Sequence, residues 1–168
     1  MRLQTWMASL VMGLGLAISL GAPSAQAAKT GFELDGGLTI FTETDTVGIT
    51  GRGSFVLPLL GPFFVAPEAE GSFGLFGQEG GVETERTVAG FARGGFSLGD
   101  RVDLHGRLGF QQTRISVDTG FGEATSGDGA FAWGVGGAVW IRENLGIRGD
   151  YTRSDGRDQI GVTAAFRF

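Results

Sequence analysis

Residues 160–168 alternate apolar side chains with small or polar ones. One parity carries Ile160, Val162, Ala164, Phe166 and Phe168, and the other carries Gly161, Thr163, Ala165 and Arg167. Successive side chains of a β-strand point to opposite faces, so this pattern predicts a strand with two different surroundings. Such a strand has to pair with other strands of a sheet.

The same alternation recurs upstream. It predicts seven further strands, over residues 32–40, 47–57, 63–75, 88–98, 102–111, 131–141 and 145–152. No helical period separates them, which favours an antiparallel meander of eight strands. Pro67 lies inside the third strand and predicts a bulge or a lost hydrogen bond there, because proline has no N–H for the ladder.

The connections between these strands differ in length. Those after strands 2, 4 and 6 span about two to four residues, whereas polar stretches at 77–86 and 116–129 predict long loops after strands 3 and 5. Short turns at one end and longer loops at the other are typical of an up-and-down membrane barrel with both termini on the inner side.

The first residues predict a secretory leader. Arg2 precedes an apolar run over residues 7–20, and small residues at Ala25 and Ala27 fit a cleavage site between Ala27 and Ala28. The apolar run is shorter than the roughly 20 residues of a membrane-spanning helix. We therefore expect residues 1–27 to be a signal peptide and residues 28–168 to form one barrel domain.

The amino-acid composition excludes some classes of function. The chain has 32 glycines, no cysteine and a formal net charge of −5 at pH 7. The lack of cysteine excludes disulfides and thiolate chemistry, and the acidic balance disfavours nucleic acid as a partner.

Charged residues share the polar parity of the strands. Six acids and five bases fall there: Glu33, Asp35, Glu68, Glu70, Asp103 and Asp150 against Arg52, Arg93, Arg107, Arg148 and Arg167. Near-neutral charge on one face suits a narrow lumen, where buried ions must pair. The predicted lumen charge network comprises Glu68, Glu70, Arg93, Asp103, His105, Arg107, Arg148 and Asp150.

Aromatic residues of the apolar parity lie near the strand ends. Phe32, Phe55, Phe63, Phe96, Phe166 and Phe168 form an inner set, and Phe73, Phe110, Phe131, Trp133 and Tyr151 form an outer one. Two aromatic bands around an aliphatic middle suit the two interfaces of a bilayer.

In strand number, pattern and terminal phenylalanine, the chain resembles the small eight-stranded outer-membrane barrels, the OmpA-like and OmpX-like porin-family proteins. The resemblance implies an all-β, antiparallel, up-and-down transmembrane barrel in the outer membrane of a Gram-negative bacterium, surrounded by outer-membrane lipid. It also implies assembly by periplasmic chaperones and the barrel-assembly machinery, with Phe166 and Phe168 as the assembly signal. We expect a monomer without metal or cofactor.

His105 is the only histidine and hence the obvious general base. Lipid A deacylases of similar size place a histidine and a serine two positions apart, but position 107 is arginine here. The sequence therefore predicts no enzyme. Glu68 and Glu70 are expected to pair with lumen arginines, and the tripeptide Arg148-Gly149-Asp150 is expected to place both charges in the lumen.

The favoured function is a structural or interaction role, with a lumen closed by side chains and recognition through the outer loops. One alternative is a narrow passive pore left open by lumen-facing glycines such as Gly134 and Gly136. Others are a lipid-modifying enzyme using His105 and a soluble periplasmic barrel that binds an apolar ligand.

Overall fold

The chain folds as a closed barrel of antiparallel strands in the computed structural model, which describes residues 30–43, 45–76, 84–118 and 123–168. The strands are β1 (Gly31–Phe41), β2 (Thr46–Pro58), β3 (Phe63–Phe76), β4 (Thr84–Leu98), β5 (Val102–Asp118), β6 (Glu123–Arg142), β7 (Leu145–Ser154) and β8 (Arg157–Arg167). Each strand pairs with the next, and β8 pairs with β1 to close the wall. The predicted eight-stranded up-and-down barrel is confirmed. The predicted leader and its cleavage site at Ala27 and Ala28 lie outside the described residues.

The two parities of each strand separate inside from outside. Leu38, Leu108 and Ile141 are 56%, 58% and 62% exposed on the outer wall, whereas polar side chains of the other parity are buried in the lumen. In a soluble barrel the apolar side chains point into the interior. Here the arrangement is reversed, because the apolar face of each strand points away from the interior. Closure also lets the backbone groups of all eight strands pair around the ring, as a bilayer requires.

Aromatic side chains on the outer wall meet as neighbours across strands. Phe63 and Phe96 pack edge to face near the end that carries both termini, which we call the inner end, with ring centroids 6.5 Å apart. Phe110 and Phe131 pack in the same way near the outer end, at 6.0 Å. Both predicted aromatic bands thus lie on the outward face.

Connection lengths differ from the prediction at the outer end. The inner turns span residues 59–62, 99–101 and 143–144, as expected, but the outer connection after β5 is only residues 119–122. The prediction of a long loop over residues 116–129 is wrong, because β5 continues to Asp118 and β6 begins at Glu123. Likewise β4 begins at Thr84, inside the predicted loop 77–86.

The physical reason is the solvent around the outer strand ends. Residues 123–130 precede Phe131, which belongs to the outer aromatic band, so this part of β6 lies beyond the apolar belt. A strand with water on both sides needs no apolar parity, and hydrophobic periodicity cannot reveal it. Strand length as well as the length of the connections makes the outer end uneven.

Pro67 interrupts the ladder without a bulge. The β2–β3 pairs pass from Ser54↔Glu68 to Leu57↔Val65 with no register shift between them, and the two intervening pairs are missing. Pairing with β4 continues through Pro67↔Ala92. Of the two outcomes predicted for Pro67, the structure shows the local loss of pairing.

Within the described ranges, no helix is long and apolar enough to span a bilayer.

Candidate functional site

Ionisable side chains lie together in the lumen. We call the following set the charge cluster: Glu33, Asp35, Arg52, Glu68, Glu70, Arg93, Asp103, His105, Arg107, Arg148, Asp150 and Arg167. All are buried except Arg167, which is partly exposed at the inner end. The eight residues of the predicted lumen network all lie in this set.

Arg107 of β5 ties together three strands in the cluster. Its Nη1 donates to Glu68 Oε1 at 2.9 Å and to Glu70 Oε2 at 2.6 Å, both on β3. The guanidinium also donates to the Thr152 hydroxyl on β7 and lies 4.4 Å from the ring centroid of Phe91. One cation therefore links β3 and β7, which lie on opposite sides of the barrel.

Arg52 of β2 continues the chain of ion pairs. Its Nε donates to Glu70 Oε2 at 3.0 Å and its Nη1 to Asp150 Oδ2 at 2.6 Å. The other oxygen of Asp150 lies 2.7 Å from His105 Nε2. The carboxylates of β3 are thus held by arginines, as expected, and His105 is paired with a residue of β7.

Glu33 of β1 accepts hydrogen bonds from arginines of three other strands. Its Oε2 accepts from Arg93 Nη2 at 2.5 Å and from Arg148 Nη2 at 2.6 Å, and its Oε1 accepts from Arg167 Nη2 at 2.6 Å. Arg148 also bonds to Asp35. Burying charges is costly unless they pair, and this arrangement supplies each cation with carboxylate oxygens.

Four aromatic residues of the polar parity lie in the lumen and were not predicted there. Phe41, Phe64, Phe91 and Trp140 point inward and are buried. Trp140 Nε1 donates to Asp103 Oδ2 at 2.6 Å, and the Arg167 guanidinium lies 3.9 Å from the Trp140 ring centroid. Their place in the alternation could have predicted this, because each occupies a position between two outward-facing residues.

Lumen-facing glycines do not border open space where the pore alternative needs it. A Cβ on Gly134 would lie 2.5 Å from the backbone oxygen of Tyr151, and one on Gly136 would lie 2.8 Å from His105 Nε2. These positions are glycine because neighbouring strands and cluster side chains approach closely. A bulky residue at Gly134 would disturb the wall itself, so the passive-pore alternative has to be tested by changes at other positions.

His105 is the side chain of the cluster that could act as a general base. Acyl transfer needs a nucleophile hydrogen-bonded to its base. Among the described side chains, no hydrogen bond joins His105 to a serine or threonine hydroxyl, and no group of His, Asp and Glu has the arrangement of a metal site. Arg148 and Asp150 are 1% and 5% exposed, so their tripeptide is not displayed on the surface.

Comparisons with known proteins agree on the architecture. Ail, the attachment invasion locus protein of Yersinia pestis, is 14% identical with a TM-score of 0.62, over 83% of this chain and 97% of Ail. The N-terminal barrel domain of Pseudomonas aeruginosa OprF is 13% identical with a TM-score of 0.68, over 85% of this chain and all of that domain. Neisserial surface protein A is 12% identical with a TM-score of 0.54, over 84% of this chain and 97% of that protein.

At these identities the structures show the fold alone. No curated protein matches the sequence. The family described as the outer membrane protein beta-barrel domain, however, matches residues 12–168, nearly the whole chain. On that match, the chain belongs to the outer-membrane β-barrel family and is an outer-membrane protein.

Proposed function

We propose that this barrel is a non-enzymatic interaction protein, anchored by a lumen closed with side chains and presenting a recognition surface outside the membrane. The observation that carries the proposal is the outer extension of β5 and β6. Their ladder runs to Asp118↔Glu123, whereas β6 pairs with β7 only from Ala132↔Ser154 onward.

This difference leaves one edge of β6 open. In the described part of the chain, residues 123–131 have no partner on the β7 side. A strand edge carries N–H and C=O groups at regular spacing, and an extended segment of another protein can pair with them. The recognition surface is then a projecting hairpin, which replaces the outer loop expected from the sequence.

The relatives support the same class of role. Ail is named as an attachment and invasion protein, and neisserial surface protein A is named for its surface location. For this chain, a surface that binds other cells or their proteins is the corresponding proposal, and we propose a monomer as the anchored unit.

Attachment of bacteria to cultured cell monolayers tests the role. The variant lacks residues 115–118 and 123–126, which shortens the β5–β6 hairpin by four pairs and keeps the connection between the strands. We expect attachment to fall to that of bacteria lacking the protein, at equal outer-membrane levels and with an unchanged heat-dependent shift in SDS gels. Attachment equal to that of the intact protein would refute the projecting hairpin as the binding surface.

Biogenesis is a separate proposal. Phe166 and Phe168 are 47% and 75% exposed on the outer wall, where a receptor can read them before the barrel closes. We propose that they act as the signal for the barrel-assembly machinery, after transit with periplasmic chaperones.

A further inference from the structure

The outer wall has a depression where Pro67 interrupts the β2–β3 seam. Two consecutive pairs are missing between these strands, while pairing of Pro67 with β4 is kept. Because proline has no N–H, the seam toward β2 loses a ladder donor at this point. The depression is open to the outside of the wall and has a volume of about 420 Å³, within the roughly 300–1,000 Å³ of small-molecule sites.

Small residues make the floor of this depression. Gly53, Ala69 and Gly90 are successive partners across β2, β3 and β4, and Phe32 and Phe55 stand beside them. A Cβ on Gly90 would meet nothing within 4 Å, so packing does not require glycine there. The absent side chains leave the space open.

The position of the depression on the barrel wall indicates what covers the depression. The depression opens on the outward, lipid-facing surface of an outer-membrane barrel, and its lining surface is mostly apolar. Phe32 and Phe55 pair directly and belong to the inner aromatic band, so the depression is reached from the inner leaflet. A second barrel would need a broad complementary surface, whereas a narrow hollow over an open seam fits a flexible hydrocarbon chain.

We propose that the depression binds one acyl chain of an inner-leaflet phospholipid. The chain fills the space over Gly53, Ala69 and Gly90. The site is independent of the surface role proposed above.

Photocrosslinking tests the site directly. The chain starting at Ala28 is refolded into phosphatidylethanolamine vesicles that contain a phospholipid with a diazirine in its acyl chain, and crosslinked peptides are mapped by mass spectrometry. We expect crosslinks to concentrate on β2, β3 and β4, and to fall several-fold in Gly90→Leu. Gly149→Leu is the matched control, because Gly149 also faces outward with nothing within 4 Å of a Cβ.

The outcomes separate the alternatives. Crosslinks spread evenly around the wall, or unaffected by Gly90→Leu in a folded barrel, overturn the proposal. An absence of lipid adducts at this seam in a folded barrel overturns it as well. If Gly90→Leu fails to fold, Gly53→Val gives the same test, since a Cβ there makes only ordinary contacts, the nearest at 3.7 Å.

Discussion

Arg167 and Glu33 face each other across the seam at which the last strand closes on the first. They are direct partners in the β8–β1 ladder, and Arg167 Nε and Nη2 both donate to Glu33 Oε1, at 2.9 and 2.6 Å. The closing pair of strands is therefore held by an ion pair as well as by backbone bonds.

We expect Arg167→Met to destabilise the barrel by about 3 kcal/mol, because Glu33 would lose one of its cations inside the lumen. Urea-induced unfolding in phospholipid vesicles measures the change. The control is Arg153→Met, which removes an exposed contact of 3.7 Å to Asp158 and should cost less than about 1 kcal/mol. Equal losses in the two variants would show that the seam pair adds nothing.

Glycine substitutions should separate the two faces of the wall. In Gly136→Ala the new methyl group would lie 2.6 Å from the backbone oxygen of Gly149, so we expect a loss of about 2 kcal/mol from overpacking. Gly149→Ala places its methyl group in open space and should stabilise the strand by about 0.5 kcal/mol. The same urea titration compares them, and a similar effect at both positions would contradict the close approach inside the lumen.

The terminal phenylalanine should matter more in cells than in purified protein. Phe168→Ala keeps the backbone bond from the Phe168 N–H to the Phe32 oxygen, at 2.9 Å, and removes only an exposed ring. We expect refolding into vesicles at nearly the normal yield but a several-fold lower level in the outer membrane. An unchanged cellular level would remove Phe168 from the assembly signal.

Two tryptophans report the orientation of the wall. In the chain starting at Ala28, Trp133 is 41% exposed on the outside and Trp140 is 3% exposed in the lumen. Brominated acyl chains should quench the fluorescence of Trp140→Phe, in which Trp133 remains, far more than that of Trp133→Phe. The reverse order would mean that the polar parity faces lipid.

The charge cluster predicts low conductance. We expect no resolved openings of the intact barrel in planar bilayers, because Arg107 with Glu68 and Glu70 crosses the lumen. The double variant Glu68→Ser with Arg107→Ser removes this crossing without a change in net charge and should show openings. Steady openings of the intact barrel would favour the passive pore instead.

Period-2 alternation was sufficient to predict the barrel within the apolar belt. There each strand has lipid on one side and a packed lumen on the other, and the parity of Leu108 or Arg107 follows from that contrast. It failed for residues 123–130 of β6, because this part of the strand extends past the apolar belt, where no apolar parity is needed. Within the lumen, parity placed His105 correctly but not its partner, because the register that brings Asp150 of β7 beside it depends on the turn between β6 and β7.

Glu33 also sets an order of events in folding. Its partners Arg93, Arg148 and Arg167 come 60, 115 and 134 positions later in the chain. Contacts of such sequence separation form slowly, since a long loop must close before they give any stabilisation. The first strand is therefore fully paired only when β8 has docked on β1, and until then the chain exposes a strand edge that can aggregate.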